Sequence, residues 1–332
     1  MDEDRYKSAE GWGPKDPHKK LRERIRKQQE KEDRRVVPIL RSPVNEPAEV
    51  AERLFNDVWR TGEVALLFGE PGVGKSILAV NLAEAIAGNA DTVLRMCEET
   101  TPAARRVVYI DLQRTDDQWK RRFSGTFTQT AFERLHLDWE DIDPSADDGI
   151  RSSRILASII DVILGGAEVV ILDDITMGGI NLGRPNGPLR TLRTLKMFAA
   201  ESGASILVIV GARPHKRPLS ASLSDVAFRH IAEQADSVFC LAASTYGPAF
   251  RYIRHLRSCV AAVEFDASNV LTFHFKSNEI LFLGTTEESV HLRDYAAEAG
   301  RAKEREQKAL RKPKGVVNML MSKEYWKYLK GE

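Results

Sequence analysis

Residues Gly69, Glu70, Pro71, Gly72, Val73, Gly74, Lys75 and Ser76 follow the spacing G-x-x-x-x-G-K-[ST]. Chemistry needs these types in this order. The glycines let the backbone wrap an anion closely, with its N–H groups aimed at phosphate oxygens. The Lys75 ammonium can reach the outer phosphates of a nucleotide, and the Ser76 hydroxyl can ligate Mg²⁺. A helix opening at Ser76 and Ile77 would point its positive dipole end at the same phosphates. Residues 69–77 are therefore the expected nucleotide-binding set, with ATP and Mg²⁺ as expected ligands.

A second candidate lies about 100 residues on. Asp173 ends the apolar run Val169-Val170-Ile171-Leu172. A carboxylate at such a strand end is placed to hold the Mg²⁺ shell beside the phosphates. Ser76 and Asp173 are thus the expected metal-side residues.

These residues need a strand–loop–helix frame. Val64-Ala65-Leu66-Leu67-Phe68 supplies a strand, and the pattern over 76–87 supplies a helix. Further strands are expected at 106–112, 168–172 and 204–210, and a brief one at 135–137. Helices are expected at 48–60, 116–123, 150–164 and 188–202. Such alternation predicts an α/β fold whose mostly parallel twisted sheet is covered on both faces. After Ala235, strands at 237–241, 251–256, 270–275 and 280–282 with short links predict an antiparallel extension.

The 332 residues carry 49 Lys/Arg and 48 Asp/Glu, a formal net charge of +1. The charge is uneven. Residues 1–35 hold 12 basic against 9 acidic side chains, and residues 301–332 hold 10 against 4. The middle is acidic at net −8. Basic ends favour polyanions such as nucleic acid, and equally suit solvated tails that aid solubility. The expected organisation is a basic N-terminal arm at 1–47, an ATPase domain at 48–290 and a basic helical tail at 291–332. No apolar run reaches the roughly 18 residues that span a bilayer. The charged N-terminus does not read as a secretory signal, and Cys97, Cys240 and Cys259 fit a reducing cytoplasm.

The order of P-loop, Tyr109-Ile110-Asp111-Leu112-Gln113, the Asp173 strand, and 205–210 followed by Gly211-Ala212-Arg213-Pro214-His215-Lys216-Arg217 resembles the RecA-like ATPases. Within them it looks closest to RepA-type and replicative hexameric helicases and the related ATPases of plasmids and mobile elements. The resemblance covers about residues 45–285. It implies a general base at Gln113, where that family often has glutamate. Glutamine can orient a water but cannot take its proton. Asp174 or Asp111 could substitute, Asp174 being favoured, since Asp111 could simply cap the following turn. His215 matches the sensor region, and residues 219–225 read as its mobile loop. Arg254 and Arg257, three apart on a strand, are expected to face opposite sides, one of them reaching a neighbour's nucleotide. The resemblance implies a homo-oligomeric ring or filament acting on DNA without sequence preference. The rival readings are a slowly hydrolysing switch or scaffold, favoured by Gln113, and a RecA-family recombination accessory.

Overall fold

The computed structural model describes residues 51–88, 103–123, 130–136, 148–175, 187–212, 220–227 and 229–293, together with 301, 303 and 305. The arm at 1–47, the segment His215–Lys216–Arg217 and nearly all of the tail lie outside these residues.

The central element is β3 (Val64–Gly69), buried along its whole length. It leads through the glycine loop into α1 (Lys75–Ile86). Then follow β4 (Val107–Asp111), α2 (Asp116–Phe123), β5 (Glu133–His136), α3 (Asp148–Leu164), β6 (Val169–Asp173), α4 (Gly187–Ser202) and β7 (Ser205–Gly211). A 3₁₀ turn at Leu223–Asp225 and α5 (Arg229–Ala232) precede β8 (Ser237–Ala243). The last strands are β9 (Phe250–Ser258), β10 (Val270–Lys276) and β11 (Glu279–Thr286), followed by α6 (Glu288–His291).

All nine strands from β3 to β11 form one sheet in the order β11-β10-β9-β8-β3-β7-β6-β4-β5. Strands β8, β3, β7, β6, β4 and β5 pair in parallel. Strands β9, β10 and β11 extend the sheet antiparallel beyond β8. The expected α/β architecture, with its antiparallel extension, is the observed one.

Why the strands read as unbroken apolar runs is visible in β3. Ala65 and Leu67 point into one core, while Val64, Leu66 and Phe68 point into the other. Side chains alternate across a strand, so a sheet covered on both faces needs apolar residues at every position. The first core is closed by α1 through Leu78, Leu82 and Ile86. The second is closed by α3 and α4 through Ile155, Ile159, Leu192 and Leu195. Each such fully buried side chain contributes roughly 1.5–3 kcal/mol.

The chain crosses from β3 to β4 over the α1 face and returns from β5 through β6 to β7 over the α3–α4 face. Such a reversal marks a switch point, and ligands in such sheets usually bind outside the carboxyl ends of the strands there.

One expectation is corrected. Residues 53–60 do not form a helix; β1 (Arg53–Phe55) pairs antiparallel with β2 (Trp59–Arg60). Leu54 and Val58 have helical spacing, but Phe55 and Trp59 are buried beside them in the same core. Asn56 takes φ 44°, a turn conformation that asparagine tolerates. The Asp57 carboxylate is held by Arg53 and Arg60. Turn chemistry and core contact override the helical period. Among the described residues, no helix is long and apolar enough to cross a membrane.

Candidate functional site

The glycine loop leaves the carboxyl end of β3 at Gly69. Its crest, Glu70, Pro71 and Gly72, is exposed, whereas Val73 and Ser76 are buried. Gly74 caps α1 at φ 109°, a conformation that side chains rarely adopt. Lys75 Nζ donates to Gly69 O at 2.9 Å and to Glu70 O at 3.3 Å, so the ammonium sits inside the loop. Burial pulls its pKa down, opposed by the charges of Asp174 and Asp173. Ile77 packs its side chain against the α1-side core.

The antiparallel extension braces this loop. Arg251 on β9 donates from Nε to Val73 O at 2.7 Å. Its guanidinium also lies 5.8 Å from the Phe275 ring centroid. Nothing in the sequence spacing pointed to Arg251 or Phe275, because both come from strands far downstream in the chain.

Asp173 ends β6 beside Asp111, which ends β4. Only 1% of Asp173 is exposed. Its Oδ2 accepts from Tyr109 Oη at 2.5 Å and from Arg114 Nη1 at 3.1 Å. Its Oδ1 is buried and has no hydrogen-bond partner among the described residues. Burial raises the Tyr109 hydroxyl well above its ordinary pKa, and Asp173 raises it further, so it remains a donor.

Arg114, which sequence reasoning missed, links the loop to Asp173. Its Nη2 donates to Ser76 Oγ at 2.8 Å and to Gln113 Oε1 at 3.3 Å. Burial works against its charge, and Asp173, Tyr109 and Asp111 more than restore it. The only sequence signal was its position next to Gln113, just past the strand end.

Asp111 is fully buried and committed to structure. Its Oδ1 accepts the backbone N–H groups of Gln113 and Arg114 at 3.0 and 3.1 Å. Its Oδ2 accepts from Arg134 Nη2 at 3.1 Å. Arg134 itself lies 4.5 Å from the Trp119 ring centroid and pairs with Asp116 at 2.6 Å. Asp111 therefore caps the turn that aims Gln113 and Arg114. Asp174 is buried beside Asp173, across a cis peptide bond.

The described part of the expected mobile loop is anchored. Ser222 and Asp225 form a capping box, and Ser220 Oγ and Ala221 N donate to Glu288 at 2.6 and 3.1 Å. Arg254 joins the same anchor, pairing with Glu288 at 2.8 Å and donating to Ala221 O at 3.0 Å. The expectation that Arg254 and Arg257 face opposite sides is corrected. A bulge between Val238 and Phe239 pairs Arg254 with Cys240 and Arg257 with Val238. Those partners are two apart and share a face, so the arginines do too. Arg257 Nη2 lies 3.4 Å from Cys259 Sγ.

The arrangement fits Mg²⁺ on its donor chemistry. Ser76 Oγ and the Asp173 carboxylate converge on one guanidinium. The orphaned Asp173 Oδ1 is a buried acceptor of the kind that a metal-bound water satisfies.

A family model described as an AAA domain matches residues 29–210. The match spans the glycine loop, Gln113 and Asp173, and stops before β8 to β11. Among solved structures, the chain is similar to a KaiC-like protein from the hyperthermophilic archaeon Pyrococcus horikoshii OT3. The TM-score is 0.48 at 15% identity, covering 74% of this chain and 100% of that one. It is also similar to a RadB recombinase, with TM-score 0.46 and 14% identity over 68% of this chain and 92% of that one. No curated protein matches the sequence.

Proposed function

This chain belongs to the AAA domain family, and from that premise we propose that it binds Mg²⁺-ATP at residues 69–77, hydrolyses it slowly and acts on DNA as a homo-oligomer. The convergence of Lys75, Ser76 and Asp173 at the carboxyl ends of β3 and β6 carries this reading.

On binding, Lys75 exchanges the Gly69 and Glu70 carbonyls for phosphate oxygens. The loop N–H groups and the amino end of α1 face the same charge. Bound through Ser76 and the Asp173 side, Mg²⁺ would neutralise charge developing on the transferred phosphoryl group. Gln113 orients the attacking water, and Asp174 takes its proton. Asp111 is excluded from that role by its two backbone donors and Arg134. An amide at the strand end, in place of a carboxylate, makes turnover slow.

The DNA reading rests on charge and resemblance. The basic ends flank an acidic middle, and the helicase-like motif order extends through 205–217. It carries with it a ring or filament assembly. The charged N-terminus, the cysteines and the uneven charge along the chain support a cytoplasmic location and the division into 1–47, 48–290 and 291–332. Deleting 301–332 is expected to flatten the salt dependence of DNA binding, each lost phosphate contact reducing the log–log slope by roughly 0.7 for single strands.

Gln113 and the Arg114 bridge favour a second reading, a nucleotide-dependent switch or scaffold. Steady-state ATP turnover with and without single-stranded DNA separates the two. Stimulation by DNA supports the first, and slow turnover indifferent to DNA supports the second. Fast turnover without DNA contradicts the slow-hydrolysis reading that both share.

A further inference from the structure

The Arg114 guanidinium spans the two side chains expected to serve Mg²⁺. One nitrogen is 2.8 Å from Ser76 Oγ and the other 3.1 Å from Asp173 Oδ2. We infer that Arg114 is an internal surrogate cation that competes with Mg²⁺ for Ser76 and Asp173, and must swing away for metal and nucleotide to seat. The inference rests on the Mg²⁺-ATP reading above.

Three observations support it. First, Asp173 and Asp111 are both buried, and Arg114 is close to each, at 3.1 and 3.6 Å. A buried carboxylate requires a countercharge, and the guanidinium supplies it. Second, Mg²⁺ takes its oxygen ligands at about 2.0–2.1 Å. A metal on Ser76 Oγ would therefore stand against the cation already bonded to that oxygen, and like charges repel at such range. Third, the guanidinium has partners besides the metal-side pair: Gln113 Oε1 lies 3.3 Å from Nη2, and Asp111 Oδ1 lies 3.6 Å from Nη1. Neither is expected to serve the metal, so Ser76 and Asp173 are not the sole hold on the arginine. Arg114 is a positioning residue, because it holds the two side chains in register until the metal replaces it.

The test uses the full chain as wild type, Arg114→Ala and Arg114→Lys. Binding of a fluorescent ATP analogue is titrated against Mg²⁺, starting in EDTA, and the Mg²⁺ midpoint is read. The midpoint is expected to fall by roughly tenfold in Arg114→Ala, the low end of the weight of one lost charge-assisted hydrogen bond. In Arg114→Lys it falls less, since one ammonium spans the pair poorly. Mg²⁺ alone is expected to raise the melting temperature of Arg114→Ala at concentrations that leave wild type unmoved. A purely structural arginine would lower the melting temperature and leave the Mg²⁺ midpoint unchanged, which overturns the proposal. Mg²⁺-independent binding by wild type overturns it too, since the arginine would then replace the metal outright. Should Arg114→Ala not fold, the same titration of Arg114→Lys decides: a lowered midpoint supports the proposal and an unchanged one overturns it. Failure of wild type to bind the analogue at any Mg²⁺ concentration has a different signature and overturns the ATP reading itself.

Discussion

A β-carbon on Gly74 would stand 2.6 Å from Cε2 of Phe275, so the last strands of the sheet set the space available to the phosphate-binding loop. At Gly69 the corresponding atom is the Leu241 backbone oxygen, at 2.4 Å. A ring edge can turn aside, whereas a strand carbonyl cannot. Gly74→Ala also carries the cost of its positive φ. We expect Gly74→Ala to destabilise by about 2–4 kcal/mol and Gly69→Ala by more. Urea unfolding of both variants checks the ranking, and Phe275→Ala should partly rescue only Gly74→Ala.

In the proposed reaction Gln113 orients the attacking water and Asp174 takes its proton. Gln113→Glu is expected to raise ATP turnover, and Asp174→Asn to lower it by roughly a hundredfold, the lower end of general-base contributions. Single-turnover kinetics at saturating Mg²⁺ report the chemical step. Unchanged turnover in Asp174→Asn would remove Asp174 from the proton transfer.

The Arg254–Glu288 pair anchors residues 220–221 to β9 and α6. Glu288 is 3% exposed. Removing one partner leaves the other charge uncompensated, so Glu288→Ala should cost about 3 kcal/mol. Arg254→Ala should likewise lower the melting temperature. A loss of turnover in Arg254→Ala with unaltered melting would instead assign the arginine to a neighbouring subunit's nucleotide.

Burial pulls His291 and His255 below the ordinary value of 6.5, more than Glu288 raises the former or its backbone bond and Asp57 the latter. Above that pH both histidines are neutral, folded or unfolded. As pH falls through 6.5 the unfolded chain takes up protons that the folded chain resists. Stability is therefore present above 6.5 and lost below it, with a slope of at most about 1.4 kcal/mol per pH unit for each histidine. His291 bonds Ser244, Thr272 and Thr286. His291→Gln should melt lower at neutral pH yet show a shallower decline in acid, which differential scanning calorimetry across pH measures.

The sheet was legible because buried parallel strands demand apolar residues on both faces. The stretches 64–68, 169–172 and 206–210 within β3, β6 and β7 carry them without interruption. The loop was legible because its glycines and lysine have few other uses together. Residues 53–60 misled because 54/58 spacing serves a helix and a tight ribbon equally, and only the packing of Phe55 and Trp59 decides. The face shared by Arg254 and Arg257 depends on a bulge at Leu256, which alternation cannot foresee. Arg114, Arg134 and Arg251 were hidden for a different reason. Their roles depend on where long side chains travel after the backbone is placed, not on the spacing between residues.

Everything proposed for this chain depends on the 69–77 loop and Asp173 forming one Mg²⁺-ATP site. Isothermal titration calorimetry of ATP into the full chain, with Mg²⁺ and with EDTA, decides it. Wild type should bind with Mg²⁺ and weaken in EDTA. Lys75→Ala should lose most of the affinity in both conditions, and Asp173→Asn should lose chiefly the Mg²⁺ increment. Wild-type affinity in Lys75→Ala, or an intact Mg²⁺ increment in Asp173→Asn, would contradict a shared site.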